Sequence, residues 1–126
     1  MVKILVAEDE PDIRELVAIS LTTLGGFQVI EAKNGVEAVE KARTEVPDLI
    51  LLDVRMPQMT GYEACTRLKE IPETRDIPIV FLSAKGQEKE IQQGLKLGAE
   101  EYILKPFAPD DLTNQVHGIL RRVKRM

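Results

Sequence analysis

A chain of 126 residues is the size of one ordinary domain and too short for two. Hydrophobic residues at 44% and charged residues at 30% are the balance of a folded globular protein, which excludes disordered and collagen-like chains. With 17 basic against 21 acidic side chains the net charge is −4, which argues against direct nucleic-acid binding by the body of the domain.

Lys3–Ala7 is a continuous apolar run, as expected of a strand covered on both faces. Pro11 follows, then Ile13, Leu16, Val17, Leu21 and Leu24 at helical spacing, closed by Gly25-Gly26. Gln28–Ala32 reads as a second, weaker strand. Asn34-Gly35 is a turn into a helical face of Val36, Val39 and Ala42. Asp48–Leu52 is the third strand, and as the most apolar it is expected at the centre. Gly61–Leu68 is a short helix and Pro78–Leu82 a fourth strand. Glu88–Leu97 reads as a helix with a thin apolar face, Ile91 and Leu95, weakened by Gly94. Glu101–Leu104 is the fifth strand. The last helix has the clearest stripe, Leu112, Val116, Ile119, Leu120 and Val123. Residues 1–126 are expected to be a single domain whose basic end, Arg121, Arg122, Lys124 and Arg125, is a solvated helix terminus or tail.

Five strands alternating with helices predict an α/β fold with a five-stranded parallel sheet and helices on both faces, because parallel neighbours need crossover connections. Right-handed crossovers favour the flavodoxin-like, doubly wound order 2-1-3-4-5, with a switch point between strands 1 and 3. Ligands on such sheets bind beyond the carboxyl ends of the strands. There the chain carries Glu8-Asp9-Glu10 after strand 1, Asp53 after strand 3, Ser83 after strand 4 and Lys105-Pro106 after strand 5. Carboxylates brought together raise one another's pKa unless a cation joins them, and a hydrated Mg²⁺ needs only one or two plus a phosphate oxygen. With a lysine and a hydroxyl beside them, the set suits phosphoryl transfer. Helix capping accounts for Glu10 or Asp12, but not for Asp53 followed by Val54-Arg55-Met56-Pro57.

These residues make the sequence resemble the receiver domain of two-component response regulators over nearly its whole length. The resemblance rests on Glu8-Asp9, on Leu49–Pro57 with Gly61, on Leu82-Ser83-Ala84, on Lys105-Pro106-Phe107, and on Asn34-Gly35 with Glu37-Ala38. It implies that Asp53 accepts a phosphoryl group from the phosphohistidine of a sensor histidine kinase or phosphotransfer protein. By the same resemblance Glu8, Asp9, Asp53 and the backbone carbonyl of Arg55 hold Mg²⁺, and Ser83 and Lys105 bind phosphoryl oxygens. Tyr102 matches the aromatic that turns when the hydroxyl residue moves, and the Lys105–Pro106 bond matches a cis position. Arg55 and Lys85 depart from frequent choices at two positions bordering the attacking water, so they are expected to tune the lifetime of the phosphoryl group. Such a module acts on itself alone, by phosphorylation and dephosphorylation, and passes its state to a downstream protein or a fused output domain.

Other features bear on partners and compartment. No apolar run approaches the ~18–20 residues of a membrane span, and the first run carries one lysine and stops at Glu8, against a signal peptide. Cys65 is the only cysteine, so no intrachain disulfide is possible; a cytoplasmic protein is expected. Cys65 and Met56 are read as packing residues, and His117 as a surface or half-buried helix residue. Two alternatives share parts of the pattern. A flavin mononucleotide carrier would need a glycine- and hydroxyl-rich loop after strand 1, where Glu8-Asp9-Glu10-Pro11 repels phosphate. A haloacid-dehalogenase-type phosphohydrolase would need an aspartate where Arg55 stands.

Overall fold

The computed structural model describes residues 1–84, 88–105 and 107–123, with the backbone alone at residues 84, 88, 90 and 91. Strands β1 (Lys3–Ala7), β2 (Gln28–Ala32), β3 (Leu49–Asp53), β4 (Ile79–Ala84) and β5 (Glu101–Lys105) form one sheet. Their order is β2-β1-β3-β4-β5, every neighbouring pair parallel, as the alternating pattern predicts. The crossovers are helices α1 (Pro11–Ile19), α2 (Gly35–Glu45), α3 (Gly61–Glu70) and α4 (Glu88–Lys96), and α5 (Pro109–Arg122) follows β5.

Side-chain alternation along the strands divides the core in two. Leu5, Ala7, Ile50, Leu52, Ile79 and Phe81 face α2 and α3, packing on Ala38, Ala42, Ala64, Cys65 and Leu68. Ile4, Val6, Leu49, Leu51, Val80, Leu82 and Ile103 face α1 and α5, packing on Val17, Leu21, Leu112, Val116 and Leu120. Leu49–Leu52 of β3 are fully buried, so the most apolar run is the central strand. Burying one such side chain contributes roughly 1.5–3 kcal/mol.

Several expectations are corrected in detail. β3 begins at Leu49 rather than Asp48, whose carboxylate accepts the Lys3 N–H at 2.9 Å. β4 runs Ile79–Ala84 because Pro78 has no N–H for the ladder, and it carries Ser83 within the sheet. Leu16 and Leu24 are 41% and 56% exposed, not part of the buried stripe. The seam of the first helix is Ile13, Val17 and Leu21 at intervals of four, which leaves Leu16 off to one side. Beyond Ile19 the helix widens into a π-helical segment, Ser20–Leu24, which turns Leu24 outward before Gly26 reverses the chain at φ 71°. Val36 is likewise at the surface.

The helix starts follow local chemistry. Asn34 accepts the Glu37 N–H at 2.8 Å to start α2. Thr60 and Glu63 exchange reciprocal bonds of 3.2 and 3.1 Å at the start of α3. Glu10 stands before α1 without any side-chain cap bond, so capping does not account for it. In α4, Leu95 is half-buried and the Ile91 side chain lies outside the described residues. Gly94 does more than weaken the helix: a methyl there would strike the Phe81 ring, which meets Tyr62 edge-on at 5.3 Å. Cys65 and Met56 are buried as expected, and His117 is half-buried with its ring 4.8 Å from that of Phe27. Arg122 donates to Glu101 at 3.1 Å, while Lys124 and Arg125 lie outside the described residues.

Candidate functional site

The in-register parallel strands bring their carboxyl ends to one rim. Ala7 lies beside Leu52, Asp53 beside Leu82, and Ser83 beside Leu104. Glu8 continues β1, its N–H donating to Ala32 O at 3.0 Å. Asp53 is the last residue of β3, and the chain leaves it with Val54 N–H donating to Leu82 O at 3.1 Å. Helix α3 then returns against this turn, with Gly61 N–H donating to Val54 O at 2.9 Å. Only glycine permits this approach. A methyl at position 61 would lie 3.0 Å from the Asp53 carbonyl carbon and from Val54 Cα, and closer to the Asp53 oxygen.

At the rim is a recess of about 290 Å³ lined by Glu8, Asp9, Glu10, Asp53, Val54, Arg55, Ser83 and Lys105. Carboxylate oxygens of Glu8, Asp9 and Asp53 lie within 4.8 Å of one another. Lys105 Nζ donates to Glu8 Oε1 at 2.6 Å and pairs with Asp53 Oδ1 at 3.2 Å. The Glu10 N–H donates to Glu8 Oε2 at 3.2 Å, and the Arg55 N–H reaches Asp53 Oδ1 at 3.4 Å. Glu8 and Ser83 are almost wholly buried, Asp53 is 7% exposed, and Asp9 meets solvent at the mouth.

The charges explain what the recess accepts. Burial pushes the Glu8 carboxyl up to about 7, against the hydrogen bond from Lys105, and the nearby Asp53 raises it further. Burial pulls the Lys105 ammonium down, but its bond to Glu8 and the charges of Asp53 and Glu8 outweigh this and leave its pKa raised. Lys105 is therefore a fixed cation serving two carboxylates. When Glu8 is ionised with Asp9 and Asp53, the three carboxylates outnumber the Lys105 ammonium and leave negative charge on hard oxygen donors. That donor set fits a divalent cation such as Mg²⁺, with room beside it for a phosphoryl group.

Six of the site residues expected from sequence line this recess: Glu8, Asp9, Asp53, Arg55, Ser83 and Lys105. Tyr102 does not. It lies lower on β5, opposite Phe81, where it lines a groove with Gln115, Gly118 and Arg122 and packs partly on the core. Lys85 and Pro106, the latter with its expected cis bond, lie outside the described residues. Sequence reasoning missed Arg14, whose Nη1 donates to Glu8 O at 2.8 Å and whose Nε pairs with Glu31 Oε1 at 3.3 Å. The available signal was a cation on the first turn and a half of a helix that opens beside three acids.

Comparison with known proteins agrees with this architecture. The model of the response regulator receiver domain matches residues 4–117. The phosphate regulon transcriptional regulatory protein PhoB of Escherichia coli is 43% identical over 124 residues, 98% of this chain and 54% of that protein. The probable transcriptional regulator ycf27 of Pyropia yezoensis is 40% identical over 124 residues, 98% of this chain and 49% of that protein. The chain thus spans about half the length of the curated relatives it matches. Among solved structures, chemotaxis protein CheY4 of Vibrio cholerae has a TM-score of 0.89 at 32% identity, covering 95% of this chain and 99% of its own. The receiver domain of a signal transduction histidine kinase from Syntrophus aciditrophicus has a TM-score of 0.87 at 36% identity, covering 100% and 95%. From β1 into α5 the chain follows this pattern, and it belongs to the response regulator receiver domain family of two-component systems.

Proposed function

We propose that residues 1–126 are a single receiver module that takes a phosphoryl group onto Asp53 and changes its output surface in response. The donor is the phosphohistidine of a sensor histidine kinase or phosphotransfer protein. The observation that carries this reading is the sharing of Lys105 between Glu8 and Asp53, at 2.6 and 3.2 Å, beside Asp9. Glu8, Asp9, Asp53 and the Arg55 backbone carbonyl are the residues that would hold Mg²⁺. When bound, the ion supplies positive charge to the carboxylates and to the phosphoryl oxygens.

The protein's own groups do the rest by position. Asp53 is held at a strand end whose backbone is tied to Leu82 and to the start of α3, so the nucleophile is oriented before the donor arrives. Its carboxylate oxygen bonds to phosphorus as the bond from phosphorus to the donor nitrogen breaks, and that electron pair leaves with the imidazole. Lys105 already touches the nucleophile and is placed to pair with a phosphoryl oxygen, and the buried Ser83 hydroxyl lines the same recess. Ser83 then moves toward the phosphoryl group and Tyr102 turns inward, remodelling α4, β5 and α5. The module acts on no other substrate, works in the cytoplasm, and hands its state to a protein target or a fused output domain. The transcriptional regulators that it resembles over half their length favour a fused output.

Incubation with acetyl phosphate and Mg²⁺, followed by intact mass, tests the reading. One phosphoryl group is expected on wild type and none on Asp53→Ala. Undiminished labelling of the variant would overturn it.

A further inference from the structure

Arg14 makes two contacts that no role in phosphoryl binding explains. Its side chain is 20% exposed and is not among the residues lining the recess; its donors are directed to the backbone of Glu8 and to the carboxylate of Glu31. The Glu8 carbonyl belongs to the peptide joining Glu8 to Asp9. The preceding peptide is already fixed, since Glu8 N–H donates to Ala32 O at 3.0 Å. The Arg14 backbone N–H also closes the first turn of α1 on Glu10 O at 2.9 Å. That backbone bond would form with any residue at position 14; what Arg14 adds is its guanidinium, which holds the Glu8–Asp9 peptide while Glu31, in β2, orients it.

Asp9 needs such a grip. Glu8 is locked by burial and Lys105, and Asp53 by the sheet, whereas Asp9 lies at the solvent-facing mouth. We infer that Arg14 is a positioning residue: by holding the Glu8–Asp9 peptide it keeps the Asp9 carboxylate aimed into the recess, and it sets cation affinity without touching the cation. The inference rests on the reading of Glu8, Asp9 and Asp53 as a divalent-cation site. Groups that orient metal ligands typically change affinity by about 10–100-fold when removed.

The test uses Mg²⁺ alone as probe. Its affinity is read from the rise of melting temperature with Mg²⁺ concentration, and loop order from amide exchange of Asp9 and Glu10 in metal-free protein. Arg14→Gln should weaken Mg²⁺ binding about tenfold or more and speed exchange at both amides. Its labelling by acetyl phosphate should fall at limiting Mg²⁺ and recover at saturating Mg²⁺. Arg14→Lys, which keeps the charge but cannot bridge two acceptors in the same plane, should fall between, and it carries the test if Arg14→Gln does not fold. Wild-type affinity in either variant that folds, whatever its melting temperature, would overturn the inference. Absence of any Mg²⁺ effect on the wild type would instead overturn the cation site itself and this inference with it.

Discussion

Gly61 links the helix α3 to the carboxyl end of β3 closely enough that one methyl group should be felt at both. In Gly61→Ala the new carbon would stand 3.0 Å from the Asp53 carbonyl carbon and from Val54 Cα, where ordinary contact begins near 3.4 Å. The start of α3 must retreat by at least ~0.4 Å, and further to clear the Asp53 oxygen, stretching the 2.9 Å bond from Gly61 N–H to Val54 O. Overpacking of this kind costs about 1–3 kcal/mol, because the opposing atoms are backbone and cannot rotate away. Gly118 provides the opposite case within the same molecule. It lies exposed in α5 with none of the described residues within 4 Å of an added methyl, so Gly118→Ala should gain about 0.5–1 kcal/mol of helix propensity. The identical substitution should therefore differ by about 1.5–4 kcal/mol between the two sites, a separation on the order of 10 °C in melting temperature. Far-ultraviolet circular dichroism during heating and urea unfolding would measure it. If Gly61→Ala melted with or above the wild type, the close approach would not constrain the fold and the argument would fail.

Other outcomes follow from the recess. Glu8, with its folded pKa raised from 4.5 to about 7, binds its proton more tightly in the native state. Its contribution is full below 4.5 and lost as pH rises through about 7; in metal-free urea titrations Glu8→Gln should lose this part of the slope, and equal slopes would contradict it. Arg55 lies exposed at the recess, where a charge-assisted bond to phosphoryl oxygens would favour the phosphorylated ground state by ~1.5–3 kcal/mol. Phosphate should leave Arg55→Asn about 10–150-fold faster, and faster again with Lys85→Glu; slower loss would show that the cations assist hydrolysis. Beryllium fluoride as phosphoryl mimic should change amide exchange most over residues 84–104, and a change confined to the loop after Asp53 would exclude the proposed switch.

The sheet order and most of the recess were legible because both rest on side-chain type along the chain. An apolar run that stops at a carboxylate, as Leu49–Asp53 does, marks a strand end, and parallel topology then gathers such ends. Arg14 was hidden because its partner at the site is the Glu8 carbonyl, and every residue has a carbonyl. Gly61 was visible as part of a motif, but its reason, the nearness of the Asp53 backbone, exists only in three dimensions. Leu16 was misplaced because an apolar residue one position off the Ile13–Val17–Leu21 seam fits helical spacing equally well. The π-helical widening after Ile19 leaves no mark in composition.

The division of the core by the sheet has a consequence for how the sequence can drift. Leu51 and Leu52 are neighbours in the chain, yet one is packed by α1 and α5 and the other by α2 and α3. A volume lost on one face is refilled only by residues of that face, because a continuous pleated backbone stands between the two. Each layer can therefore exchange its side chains by its own compensations, independently of the opposite layer. The acidic rim depends on neither layer alone, since Glu8 and Asp53 are held by main-chain bonds to neighbouring strands. Core substitutions could thus accumulate above and below the sheet while the geometry at its edge stayed put, provided the few residues that touch the rim, Gly61 and Arg14 among them, were kept.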